Sequence, residues 1–513
     1  MSLLLGSHDL TPTSLTEYSA RALLPDSLYA LTLDEASHDA ISRACAVVDG
    51  VAAGSRRVYG INTGVGLLCT THISSDKFVE LQHNIILSHC CGVGEPLPRD
   101  LVMMMWVILL NSIAKGHRGV RLESVNFILQ TLNAGLLAVV PSQGSVGASG
   151  DLAPSAHAAA ALLGEGPCTL PVDGRIEEMS ACAALQRLGL SPWQLAPKEG
   201  LSLINGTQLT TALATKAWYH ARRLLDLSNL AAALSIEGLR GQHMDNTEPL
   251  WRAHRHSGTL HCGLAISAWI GKHSAKSALG HDRVQDPYSL RCAPQVHGAV
   301  WEDVQACESI LQREINASTD NPLVFADTGA ILHGGNFHGI YPARVADRLA
   351  SALTTLGSIS ERRINLMMDK EKSGLPYFLI NDGGLHSGLM MLQTIAAALV
   401  SECKALSFPA SVDSIPTNCN QEDHVSMGPI AGWKALKIVD NVYHILAIEL
   451  ICAAQAIDLL QPKELSERLR AVHGLLRSKV AFLERDRMLA DDVRAVEALL
   501  RTDRLFIKDA DER

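Results

Sequence analysis

Charge is the first shortage. Asp, Glu, Lys and Arg make up 19% of the 513 residues, below the roughly 25% usual for soluble domains. The net charge is −9 and no block of Lys or Arg occurs, so nucleic acid is not an expected partner. Low charge beside many Ala-rich helical stretches points instead to surface buried in an oligomer. The first residues lack the basic-then-apolar order of a secretory signal. The longest apolar run, 101–110 (LVMMMWVILL), falls short of the roughly 20 residues a bilayer needs. It reads as a buried helix, and no membrane partner is expected. The twelve cysteines form no C-x-x-C pair, and the adjacent Cys90 and Cys91 rarely suit an intramolecular bridge. All twelve are expected reduced, mostly as core thiols, in a cytoplasmic protein. His254, His256 and His261-Cys262 match no zinc spacing, so no metal is expected. No internal repeat or low-complexity linker divides the chain.

Helical periodicity dominates what is present. Short helices are expected at 34–51, capped by Asp34, and at 75–91, 99–115 and 120–137. Longer ones are expected at 207–239, 296–317, 343–368, 384–406 and 429–460, with two more within 466–500. Strand 28–33 and hairpins at 168–177, turning on Asp173-Gly174, and at 323–332 complete the reading. Segment 240–282, rich in histidine and polar residues, reads as loops and short helices. The fold class expected is mainly α, a long-helix bundle core with a mixed, loop-rich N-terminal part. The domain boundary is expected near 205: an N-terminal domain 1–205 carrying the site, then a bundle domain 206–513 with the C-terminal helices.

The string GSVGASGDLAP at 144–154 is a glycine-broken loop running into a helix start. Asp151 is placed to cap that helix, and Pro154 is tolerated in its first turn. Alone, this is an ordinary turn. An Ala-Ser-Gly loop can nonetheless react with itself. The amide nitrogen of Gly150, free of a Cβ, attacks the Ala148 carbonyl and closes a five-membered ring with loss of water. Loss of the Ser149 hydroxyl as a second water leaves an exocyclic methylidene, an electrophile made without any external cofactor.

Further stretches carry candidate side chains. In YGINTG (59–64), glycines let the chain fold back so that the Tyr59 hydroxyl projects; alone, it would anchor a turn. In KEGLSLINGTQ (198–208), Asn205 stands just before a long helix and suits an N-cap. In QDPYSLR (285–291), Tyr288 and Arg291 are three apart, so one helical turn can aim both at one site. Arg offers a planar, bidentate match to an amino acid's carboxylate. DNP (320–322), GGNFH (334–338) and NQEDHVSM (420–427) follow in order.

Together these strings resemble the aromatic amino-acid ammonia-lyases, whose 4-methylideneimidazole-5-one (MIO) group forms from Ala-Ser-Gly. The resemblance covers most of the chain, from Tyr59 to Leu460. It implies an MIO from Ala148, Ser149 and Gly150, and Tyr59 as a base on a mobile loop. That role requires a setting that favours phenolate, since a free tyrosine titrates near 10. It also implies substrate binding by His89, Asn205, Gln285, Tyr288, Arg291, Phe337 and Glu422, MIO support by Asn321, and a homotetramer with active sites assembled from three subunits. Within the family the stretch around His89 and the presence of Glu422 are closest to the histidine-deaminating members. This implies elimination of ammonia from L-histidine to give trans-urocanate. The alternatives are a tyrosine or phenylalanine ammonia-lyase, an aminomutase, or a non-catalytic scaffold. Two departures bear on the substrate. Gly339-Ile340-Tyr341-Pro342 stands where Ala/Gly-Glu-Pro is usual, and Glu371 stands at a position often held by His.

Overall fold

The computed structural model describes residues 2–6, 8–24, 29–241, 247–271, 285–461 and 465–505. Parts of the 240–282 stretch and the charged end from Asp509 lie outside them. The described residues hold nineteen α-helices and a few short strands, the mainly α class expected. The chain forms two compact units: 1–219 with 308–347 and 409–433, and 220–307 with 348–408 and 434–513. These draw on interleaved stretches, whereas the sequence expectation cut the chain once, near 205.

Local rules account for many of the elements. Helix Glu35–Ala53 starts at Asp34, whose carboxylate accepts from Ser37 N. Helix Arg99–Ala114 is buried from Leu101 onward. The strands Pro167–Val172 and Arg175–Ser180 pair antiparallel around Asp173 and Gly174, both left-handed, as a tight hairpin turn demands. Hairpin Leu323–Phe325 with Ala330–Leu332 is likewise present. Of the helices shorter than expected, two have a visible local cause. Gly135, at φ +79°, ends Leu122–Asn133 and turns the chain into strand Leu137–Ala138. Before Met390–Leu406, Ser387 N and Gly388 N donate to the Asp486 carboxylate at 2.8 and 2.9 Å, which fixes a turn where helix was expected. Helix Gly428–Leu460 is long and apolar enough to cross a bilayer, but 83% of its apolar window is buried within the protein.

The second unit is a bundle with its own buried ion pair. Glu449 accepts from Arg363 Nε and Nη2 at 2.5 and 2.9 Å, and from the hydroxyls of Ser235 and Ser360. The first unit carries a denser network. Lys198, fully buried, donates from Nζ to Asp320 Oδ2 at 2.6 Å, Ser202 Oγ at 2.8 Å and the Arg118 carbonyl at 2.9 Å. Buried Arg118 in turn donates to the carbonyls of Ser202 and Asn205 and to the hydroxyls of Ser112 and Thr319. Burial works to raise the Asp320 carboxyl, but Lys198 and Arg118 outweigh it and hold it below the usual range. Burial lowers Lys198 against the pull of Asp320. With every Nζ hydrogen accepted, the ionised pair is the state this geometry favours.

Removing one member of such a pair strands the other charge. Lys198→Met is expected to cost about 3–5 kcal/mol, read as a large drop in the thermal midpoint. A variant as stable as wild type would show that the pair does not hold the first unit together.

Candidate active site

The 144–154 loop is fastened on both sides within the first unit. Met427 N donates to Val146 O at 2.9 Å. Gly206 N donates to Ser149 O at 3.3 Å, and Asp151 N to Gly206 O at 2.8 Å. Gly150 sits at φ +89°, and a Cβ there would overlap the backbone of Gly206, so only glycine permits this approach. A confined Ala-Ser-Gly with no side chain on its third residue fits the ring closure that an MIO requires.

Asp151 does not cap its own helix, Leu152–Ala160, as expected. Its carboxylate accepts from Thr210 N at 2.8 Å and Thr210 Oγ1 at 2.9 Å, and so serves the first turn of Gln208–Gly238. Burial pushes this carboxyl up to about 6 despite those donors. Nor is Asn205 an N-cap. It closes helix Glu199–Ile204, and its Nδ2 donates to Asp320 Oδ1 at 3.2 Å and Asn321 O at 2.9 Å. The long helix is thus capped from another segment, which leaves the Asn205 amide to Asp320 and Asn321.

A cavity of about 580 Å³ opens beside Ser149. Tyr59, Ala148, Ser149, Asn205, Asn321, Phe337 and Glu422 all line it. Tyr59 is aimed there because its neighbours Val58 and Ile61 are buried in an apolar cluster with Ala44, Val48, Val324 and Ile331. The Tyr59 hydroxyl accepts from Gly66 N at 3.2 Å, and its ring meets His333 edge-on at 5.8 Å. Burial raises the phenol above its ordinary value, more than the Gly66 donor lowers it, and the charges of Glu422 and Asp320 add to the rise. The chain alone therefore does not supply the phenolate-favouring setting that the base role demands.

Glu422 reaches the cavity from a closed loop. Thr417 N donates to Glu422 O at 3.0 Å, and Glu422 N to Thr417 O at 3.3 Å. Between them Asn418, Cys419 and Asn420 are all left-handed, at φ 49°, 53° and 67°. Non-glycine residues held this way cost about 1 kcal/mol or more each, and such strain gathers at functional sites. The loop touches the Tyr59 segment at Gly66 (φ +57°), where a Cβ would overlap the Asn418 amide. Glu422 Oε1 accepts from Ser149 Oγ at 3.1 Å, and Oε2 from Thr417 Oγ1 at 2.6 Å.

Several lining residues were not singled out from the sequence: Cys69, His333, His338, Asn418 and His424. The rings of His338 and His424 stack at 5.4 Å. His338 Nε2 lies 3.3 Å from both the carbonyl and Nδ1 of His424. His338 and His424 stand one and two residues after the picked Phe337 and Glu422, and that adjacency was the available signal. The thiols also differ from expectation. All twelve are free, but only Cys168, Cys262, Cys307, Cys403 and Cys452 are buried, while Cys69, Cys91, Cys182 and Cys419 are exposed.

Five picked residues do not line this cavity: Gly150, which lies against Gly206, and His89, Gln285, Tyr288 and Arg291. His89 Nδ1 is 2.7 Å from the Ile85 carbonyl of its own helix and 3.1 Å from Ser88 Oγ. Gln285, Tyr288 and Arg291 belong to the second unit and are exposed. There the Arg291 guanidinium lies 4.5 Å over the Tyr288 ring, and its Nε donates to Asp286 O at 3.0 Å. Glu371, also in the second unit, accepts from the Tyr377 hydroxyl at 3.3 Å.

Known proteins match this arrangement along its length. The aromatic amino acid lyase family matches residues 19–478. The histidine ammonia-lyase of Burkholderia lata is 44% identical over 500 residues, 97% of each chain. That of Yersinia enterocolitica is 44% identical over 472 residues, 92% of each. Among solved structures, histidine ammonia-lyase from Trypanosoma cruzi superposes with a TM-score of 0.89 at 40% identity, over 99% of this chain and 94% of its own. Tyrosine aminomutase from Streptomyces globisporus gives 0.89 at 32% identity, over 99% and 98%. The chain belongs to the aromatic amino acid lyase family and is a carbon–nitrogen lyase.

Proposed function

We propose that this protein eliminates ammonia from L-histidine to give trans-urocanate, using an MIO formed from Ala148, Ser149 and Gly150. The observation that carries the substrate is Glu422, a carboxylate oriented by Thr417 and facing the cavity at Ser149. An imidazole N–H satisfies its Oε1, which loses the Ser149 hydroxyl when that residue dehydrates; a phenyl ring leaves this oxygen desolvated without a donor, at about 1–3 kcal/mol. The histidine ammonia-lyases that match almost the whole chain support the same choice.

An MIO held at Ala148, Ser149 and Gly150 would supply an electrophile for the substrate amine, improving it as a leaving group. The chain's own residues do the rest. Phe337 packs on the substrate ring, and Glu422 accepts its N–H. Asn205 and Asn321, fixed by Asp320 and Gly334 N respectively, hold the loop side of the cavity. Tyr59 removes the β-proton, and orientation of these groups supplies much of the rate.

Arg291 fixes the substrate carboxylate, with Gln285 and Tyr288 beside it and His89 as a further polar contact. These residues act in a homotetramer, where such surface groups complete a neighbouring subunit's cavity. Exposed apolar side chains of the second unit agree with that assembly. Met391 and Ile395 sit one turn apart on Met390–Leu406, and Leu385 and Phe408 flank that helix. The protein is expected to work in the cytoplasm.

Offered L-histidine, L-tyrosine and L-phenylalanine separately, the protein, sized by light scattering as four chains, is expected to deaminate histidine about 10²-fold faster or more. Faster release of coumarate or cinnamate, or full activity in a single chain, contradicts the reading.

The Tyr59 role gives a pH dependence with a definite sign. A phenol raised above its usual value is protonated at neutral pH, and its reactive fraction grows about tenfold per pH unit. The value of kcat/KM should therefore climb between about pH 7 and about pH 9. Tyr59→Phe should bind substrate but lose kcat. A raised KM with unchanged kcat would make Tyr59 a binding residue.

A further inference from the structure

We propose that Glu422 acts first on the chain itself, as the acid that removes the Ser149 hydroxyl while the electrophile forms, with Thr417 as its positioning residue. The inference rests on the self-modification proposed above.

Dehydration of Ser149 has simple demands. The electron pair of the Cα–H bond becomes the Cα=Cβ π bond. The pair of the Cβ–Oγ bond leaves with oxygen. That oxygen already carries one hydrogen and must gain a second proton as the bond breaks, because water departs far more readily than hydroxide. The proton released from Cα passes through solvent back to the acid. One water is lost, and neither oxidant nor reductant is needed.

The acid must therefore lie at Oγ, and Glu422 Oε1 is 3.1 Å away. The same two oxygens carry the hydrogen bond in either direction: the hydroxyl donates to a carboxylate, or a protonated carboxyl donates to Oγ. The two buried carboxylates nearby are committed elsewhere. Asp320 is held by Lys198, Ser202, Asn205 and the Asn321 amide, and Asp151 by Thr210. The carboxyl of Glu422 is also kept from swinging away. Thr417 donates to Oε2 at 2.6 Å, and the two residues are tied by backbone bonds in both directions. A closed loop with three successive left-handed residues thus holds one carboxyl against one hydroxyl.

The test reads mass, not turnover. Wild type, Glu422→Gln, Glu422→Asp, Thr417→Val, Thr417→Ser and Tyr59→Phe are expressed as full chains, and the folded, soluble fraction of each is weighed intact over time. Gln can hydrogen-bond Oγ but cannot deliver a proton to it. Glu422→Gln should remain at least one water heavier than wild type, with dehydration slowed by about 10²-fold or more. Tyr59→Phe should reach its fully dehydrated mass at the wild-type rate. Should Glu422→Gln be insoluble, the milder variants decide. Glu422→Asp and Thr417→Val should mature slowly, and Thr417→Ser should restore the wild-type rate. Dehydration of Glu422→Gln at the wild-type rate overturns the proposal, as does arrest of Tyr59→Phe alone, or wild-type maturation in both Glu422→Asp and Thr417→Val. Wild-type protein at its full sequence mass would instead remove the self-modification itself. Slow histidine turnover by fully dehydrated wild type would touch only the substrate.

Discussion

The buried contact of Lys198 with Asp320 joins segments 122 residues apart in sequence, and the geometry of the cavity depends on it. Asp320 presents one carboxylate oxygen to Lys198 and Ser202 and the other to Asn205 and the Asn321 amide. That fixes where both asparagines face the cavity. Arg118 closes the same knot from a third segment through the Ser202 and Asn205 carbonyls. Gly206, next to Asn205, is then held where Gly150 can lie against it. An uncompensated charge in this interior would cost several kcal/mol, so these positions are rigid in the way a precise reaction geometry needs.

Another part of the cavity lining is built by different physics. Tyr59 and Glu422 stand on loops rather than on helices, and each loop is stiffened locally. Val58 and Ile61 are sunk into an apolar cluster, while Thr417 to Glu422 is closed by paired backbone bonds over left-handed residues. The two loops touch at Gly66 and Asn418. The ion-paired residues Asn205 and Asn321 and the short loops carrying Tyr59 and Glu422 thus line one cavity.

Legibility in the sequence followed the range of the interaction. Asp34 as a cap, the Asp173-Gly174 turn and the buried run from Leu101 depend on neighbours a few residues away, and each is where periodicity and turn chemistry place it. Asp151 and Asn205 were misread as local caps because the capping rule assumes a partner three residues on. The partner of Asp151 is 59 residues away at Thr210, and that of Asn205 is 115 away at Asp320. Arg118 carried no signal at all, since one arginine in a sequence is ordinarily solvated. Tyr59, Ser149, Asn205, Asn321, Phe337 and Glu422 could be picked because their motifs are distinctive strings. That Glu422 meets Ser149 across 273 residues is a property of the fold and appears in no string.

Chemistry by the chain on itself is the centre of the account, and intact mass reads it most directly. Freshly purified wild-type protein should weigh two waters less than its sequence, with the deficit confined to the peptide that contains 148–150, and Ser149→Ala should lack the methylidene and all activity. Active protein at the full sequence mass, or an active Ser149→Ala variant, would contradict it.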